Sequence, residues 1–167
     1  MLSEALIDKY GFAQGLETKE NDETGEIEIV SFPDEWGKKP TKTQLAKIVS
    51  EYELRSTLKE IRNDKINAGI DLNGIRIETD DVTQSRMMAV HIKAMQDDTY
   101  TVNWKTKDGF IVLDAGTIMA ISEAMHNHVQ ACFTAESNID IGDVTDIADL
   151  VEQFGVEYDT AYNGGAS

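Results

Sequence analysis

His128 and Cys132 stand four residues apart, a spacing that puts an imidazole and a thiol on the same face of a helix. Such a pair is the beginning of nucleophilic catalysis. Nothing nearby supplies an orienting carboxylate or an oxyanion hole, and Cys132 falls within an apolar stripe, so a buried, inert thiol is expected. His126 and His128 are two apart and point about 200° away from each other on a helix, which prevents them from sharing one metal ion. His91 shares its face with Met87, Met88, Ile92 and Met95 and reads as a half-buried, hydrogen-bonded histidine. Glu20, Asp22, Thr24 and Gly25 mimic the start of a calcium loop. Its twelfth position, however, is Ser31, which offers no bidentate carboxylate. Asn138, Asp140 and Gly142 lack the calcium-loop spacing as well. The chain has no glycine-rich phosphate cradle, no His-Glu-x-x-His and no Gly-x-Ser-x-Gly. No catalytic residue, cofactor or metal site is therefore expected, and the chain reads as non-enzymatic.

The charge is strongly one-sided. Among 167 residues, 31 Asp+Glu oppose 15 Lys+Arg, for a net charge of −16. Duplex DNA, RNA and anionic lipid all require a cationic footprint, so none is an expected ligand. Residues 1–50 carry 10 acids and 6 bases, residues 51–108 carry 11 and 9, and residues 109–167 carry 10 and none. That acidity serves solubility first, and a docking surface for a basic partner second. Apolar runs are only a few residues long, far short of the ~20 that span a bilayer, and the N-terminus lacks the pattern of a signal peptide. A single cysteine excludes an internal disulfide framework and points to a cytosolic folding compartment.

The elements that position these residues divide into zones. Residues 1–40 form a leader module. Leu2, Leu6 and Tyr10 predict a short helix ending at Gly11, and Glu26 to Phe32 alternate as a half-exposed strand. Residues 17–25 read as a polar turn, and the Pro33–Pro40 stretch as an extended linker. Thr41 and Gln44 have the spacing of a capping box, and no Gly or Pro follows until Gly69, which predicts a long helix over 41–68. Its apolar residues form two stripes. Leu45, Ile48, Val49 and Tyr52 cluster on one side, and Leu54, Leu58 and Ile61 lie roughly 180° away. Such a helix either breaks near Ser50 or bridges two neighbours, and bridging is the favoured reading.

A compact zone over 54–136 combines two hairpins and two helices. Asn73-Gly74 and Asp108-Gly109 are hairpin turn signals. Asp80, Asp81 and Thr83 offer N-caps for a helix through Gln96, and Asp114 caps a helix to about Phe133 whose core stripe is Ile118, Ile121, Met125, Val129 and Cys132. Met87, Met88 and Met95 share one face, and Met119 and Met125 lie on the next helix; core filling is expected ahead of a Met-rich binding surface. Residues 137–167 predict an acidic helix from Asp143 to Phe154, stopped by Gly155, with Val144, Ile147, Val151 and Phe154 inward. A loose tail is expected from Tyr158 onward. The expected fold class is thus α+β, with helices packed on short antiparallel β-hairpins behind a long bridging helix and a small N-terminal module.

The motifs Leu58 to Ile70, Leu72-Asn73-Gly74, Glu78-Thr79-Asp80, Ser85-Arg86, Val102 to Gly109 and His128 to Phe133 identify a resemblance. In this order they resemble a domain of unknown function found in small proteins of tailed phages and prophages, beside tail-fibre genes. The resemblance covers about residues 54–136. It implies a tail or tail-fibre-associated adaptor in the virion, present in the host cytoplasm during assembly, or a tail-fibre assembly chaperone released before maturation. The implied partners are other tail proteins or further copies of the chain, without nucleic acid, membrane or small-molecule substrate. The family has no accepted catalytic residues. Exposed apolar or aromatic side chains expected to meet partners are Trp36, Leu45, Ile48, Tyr52, Tyr158 and Tyr162.

Overall fold

The computed structural model of the chain describes residues 1–22 and 24–164. The described residues form five α-helices and three two-stranded antiparallel sheets, a mixed α+β fold. They gather into two compact units. Residues 1–57 with 141–143 make the first, and residues 58–140 with 144–164 the second, residue 23 lying outside the described residues.

In the first unit, α1 (Leu2–Tyr10) buries Leu2, Ala5 and Leu6 and stops at Gly11. Strands β1 (Glu17–Glu20) and β2 (Ile27–Ser31) pair, with Ile29 turned into the core. The expected polar turn over 17–25 is thus half strand. Glu17, Lys19 and Glu20 are poor strand formers, but pairing with β2 supplies backbone partners that outweigh a propensity scale spanning only ~1 kcal/mol. The Pro33–Pro40 linker is less extended than its prolines suggest. Asp34–Trp36 turn as a 3-10 helix, which stacks the Trp36 ring on Tyr10 at 5.4 Å and sets it edge-on to Phe32 at 5.4 Å.

Helix α2 (Lys42–Asn67) is continuous across Ser50. The capping box closes as its spacing requires: Thr41 N–H donates to Gln44 Oε1 at 2.9 Å, and Gln44 N–H to Thr41 Oγ1 at 3.3 Å. Ile48 is buried in the first core, with Leu45, Val49 and Tyr52 packed against it. Leu58 and Ile66 are buried on the residues that α2 contributes to the second unit. Each unit thus buries apolar residues of α2.

The second unit contains the hairpins β3 (Ile70–Leu72) with β4 (Ile75–Ile77), and β5 (Thr101–Thr106) with β6 (Gly109–Asp114). Helix α3 (Asp81–Gln96) lies between them in sequence, and α4 (Ala115–Asn138) follows. Asp80 caps α3 by accepting from Val82 N–H at 3.0 Å and Thr83 N–H at 3.1 Å, and Asp114 caps α4 through Thr117 N–H at 2.7 Å. Ile77, Met87, Trp104, Leu113, Ile118, Ile121 and Met125 fill this core.

Helix α5 (Ile147–Gly164) departs most from expectation. It begins later than Asp143, because Asp146 caps it by accepting from Asp149 N–H at 3.0 Å, while the Asp149 carboxylate accepts from Thr145 N–H at 2.8 Å. It runs through Gly155, and its buried face is Leu150, Phe154 and Tyr158, with Ile147 and Val151 exposed. The tail expected from Tyr158 is helical to Gly164, since Leu150, Phe154 and Tyr158 continue one stripe at i, i+4, i+8 along a helix that packs on α4. The last three residues of the chain lie outside the described residues.

Candidate functional site

The buried titratable groups of the second unit cluster where α2 ends. The last carbonyls of a helix have no partner within it. Here they are met by side chains from elsewhere. The Thr79 hydroxyl donates to Ile66 O, and the Arg76 guanidinium to Ala68 O. His128 Nε2 lies 3.0 Å from Lys65 O and 3.3 Å from Ile66 O. A carbonyl can only accept, so Nε2 carries the proton, and Nδ1 accepts the Tyr158 hydroxyl at 2.8 Å. Tyr162 stacks on Tyr158 at 5.6 Å, and Lys65 Nζ sits 4.0 Å from the Tyr158 ring centre.

Electrostatics agree with a neutral ring. Desolvation pulls the His128 imidazole below its ordinary value and outweighs the Ile66 and Lys65 carbonyls, whose hydrogen bonds favour the charged form, with the Lys65 and Arg76 charges adding to the lowering. Burial raises the Tyr158 phenol to about 12 and the Cys132 thiol to about 11. Cys132 is fully buried, and the two ring nitrogens of His128 are taken by other partners. The i, i+4 spacing thus brings thiol and imidazole to one helix, but the chemistry of the cluster is that of a helix cap.

The six expected partner residues are distributed differently from expectation. Ile48 and Tyr158 are buried, because each completes a core stripe of its helix. Trp36 and Tyr52 are half-buried against the first core, and Tyr162 is half-buried by its stacking on Tyr158. Leu45 is also half-buried, yet it lines an apolar groove of about 780 Å³ in the first unit with Leu2, Ile27, Ile29 and Val49.

Exposed apolar residues lie elsewhere. Met87 and Met125 fill the core as expected, but Met88 and Met95 are each 67% exposed, with Ile92 between them on the outer face of α3. Met88, His91, Met119 and His126 line a groove of about 590 Å³ between α3 and α4. On the hairpin, Phe110 and Val112 face outward at 73% and 68% exposure.

A further groove of about 600 Å³ runs between β4, β5 and α3. Arg76 to Glu78 line it from β4 and the residue after it, Thr83, Arg86, Ala89 and Val90 from α3, and Val102 to Lys107 from β5 and its turn. Four of these are cations, Arg76, Arg86, Lys105 and Lys107, and Glu78 is the one acid. The sequence reading missed this site. Its residues come from three elements, and its positive charge is hidden within a chain of net −16.

A family described as a domain of unknown function, DUF4376, matches residues 51–151. The chain belongs to the DUF4376 family. The DUF4376 segment contains the cationic groove, the Met-lined groove and His128, while Tyr158 and Tyr162 lie beyond it. No curated protein and no solved structure matches the chain. Among the described residues no helix is long and apolar enough to cross a membrane.

Proposed function

We propose that this DUF4376 protein is a non-enzymatic binding protein of tailed phages, an adaptor associated with the tail or tail fibre. The observation that carries the binding reading is the division of labour between buried and exposed groups. The His128 imidazole and the Thr79 hydroxyl are committed to closing the end of α2, and the Tyr158 phenol to His128. The open surfaces instead present Met88, Ile92, Met95, Phe110 and Val112 to solvent. Exposed apolar side chains grouped in this way suit contact with another macromolecule. The phage setting rests on the motif resemblance read from the sequence.

Mass spectrometry of purified virions tests the adaptor role, which expects the protein in mature particles at stoichiometric amounts. Its absence from particles, combined with rescue of fibre solubility on co-expression, would instead establish a chaperone released during assembly.

A further inference from the structure

We propose that the groove between β4, β5 and α3 takes an extended, acidic segment of a partner protein, which adds as a strand to the free edge of β5. This names a partner chemistry for one surface and rests on the binding-protein reading, though not on the phage setting.

The backbone supports the mode of binding. Val102 to Lys107 line the groove without a break, inward and outward residues alike, and no residue of β6 does. Successive strand residues point to opposite faces, so an unbroken run marks a groove along the strand's edge. β6 occupies the other edge, and among the described residues no strand pairs with this one. The same holds on the opposite bank. Arg76 and Ile77 of β4 line the groove while no residue of β3 does, and β4 belongs to a separate two-stranded sheet. A free edge presents a row of amides and carbonyls ready to pair with an added strand. The six residues of β5 give roughly 20 Å of edge at ~3.3 Å per residue.

The side chains support the acidic character. Four cations face one acid, and that acid, Glu78, is already taken by Lys107 at 3.1 Å. Arg76 donates to a carbonyl and has no ion pair among the described residues, and Lys105 Nζ sits 4.9 Å from the Phe110 ring centre. Arg86 has no ion pair among the described residues. A chain with twice as many acids as bases has thus gathered four of its 15 cations around one groove. Ile77, Val90, Val102 and Trp104 supply an apolar floor for the alternate side chains of a strand. Polynucleotide fits less well. Trp104 is the one aromatic residue in the lining and is buried, so no stacking platform is offered, and the net charge of −16 repels polyphosphate.

The test uses the full chain and a short, N-acetylated, fluorescently labelled peptide alternating glutamate and valine. Binding is read by anisotropy and by amide hydrogen exchange. Saturable binding is expected, with new protection at Val102 to Thr106. Arg86→Glu and Lys105→Glu, both at exposed positions, should each weaken it about tenfold, and Arg86→Gln and Lys105→Gln should do so to a smaller extent. A peptide N-methylated at every backbone amide, unable to donate to the ladder in any register, and one with lysine for glutamate should both fail to bind. The proposal is overturned by absence of binding, by equal binding of the N-methylated peptide, or by binding indifferent to all four variants. It is equally overturned if inorganic phosphate or a single-stranded oligonucleotide occupies the groove more tightly. Self-association of the chain abolished by Arg86→Glu would make a second copy the occupant and also defeat it. Each of these outcomes is independent of whether the protein is found in virions.

Discussion

His128 occupies a position where one side chain answers three needs at once. It satisfies two orphan carbonyls of α2 and accepts the Tyr158 hydroxyl while filling core volume. Replacing a buried hydrogen-bonding group so that its partners remain costs about 1–3 kcal/mol. Tyr158→Phe, which leaves only Nδ1 without its donor, should therefore destabilise less than His128→Ala, as measured by urea unfolding. The pH dependence has a definite sign. Folding weakens protonation of this imidazole, so the unfolded chain binds more protons below the ordinary value of 6.5. The stability contribution is complete above 6.5 and is lost as pH falls below it, through the lower folded value. Unfolding free energies measured from pH 7.5 down to about 5 should fall less steeply in His128→Gln than in the parent, by at most about 1.4 kcal/mol per pH unit. A steeper fall in the variant would contradict the neutral-imidazole assignment. The neighbouring thiol gives a second readout. Burial raises Cys132 to about 11, so at pH 8 it should resist alkylation until urea unfolds the chain. Prompt labelling of the folded protein would contradict its burial.

Among the elements, α2 and α5 show opposite relations between local signal and outcome. The capping box of α2 is readable at Thr41 and Gln44 because both partners lie within one turn. Gly69 ends it in the left-handed region at φ +80, where an added Cβ would stand 2.6 Å from Ile77 O. Helix α5 carries an equally visible stop signal at Gly155 and ignores it. Tyr158 lies beyond that glycine, and its hydroxyl meets His128, 30 residues earlier. Tertiary burial of Phe154 and Tyr158 exceeds the ~1 kcal/mol that a mid-helix glycine costs. Two substitutions separate these cases. Nothing lies within 4 Å of a Cβ added at Gly155, so Gly155→Ala should raise stability by about 0.5–1 kcal/mol. Gly69→Ala should lower it by more than the ~1–2 kcal/mol of a left-handed residue, because the β4 backbone cannot move away freely. Thermal melts of the two variants shifting in the same direction would contradict this account.

Across the whole chain, charge is the dominant long-range term. A net charge of −16, with no base after Lys107, makes the folded state repel itself. Added NaCl shortens the reach of that repulsion, to about 10 Å at 0.1 M. The melting temperature should therefore rise by a few degrees between very low salt and about 0.3 M NaCl, and a fall would show that attractive pairs such as Lys107–Glu78 dominate instead. Local order is what the amino-acid sequence by itself determined. Helix caps at Thr41, Asp80 and Asp114, hairpin turns at Asn73-Gly74 and Asp108-Gly109, and the two stripes of α2 all depend on residues within a few positions of one another. Such signals survive in one dimension. Only the tertiary structure decided that Ile48 and Tyr158 are buried while Met88 and Met95 are exposed, because a stripe's width is set by the neighbour it meets. It alone also assembled the cationic groove, whose charges come from β4, α3 and the β5 hairpin, and whose function depends on strand edges that no sequence spacing encodes.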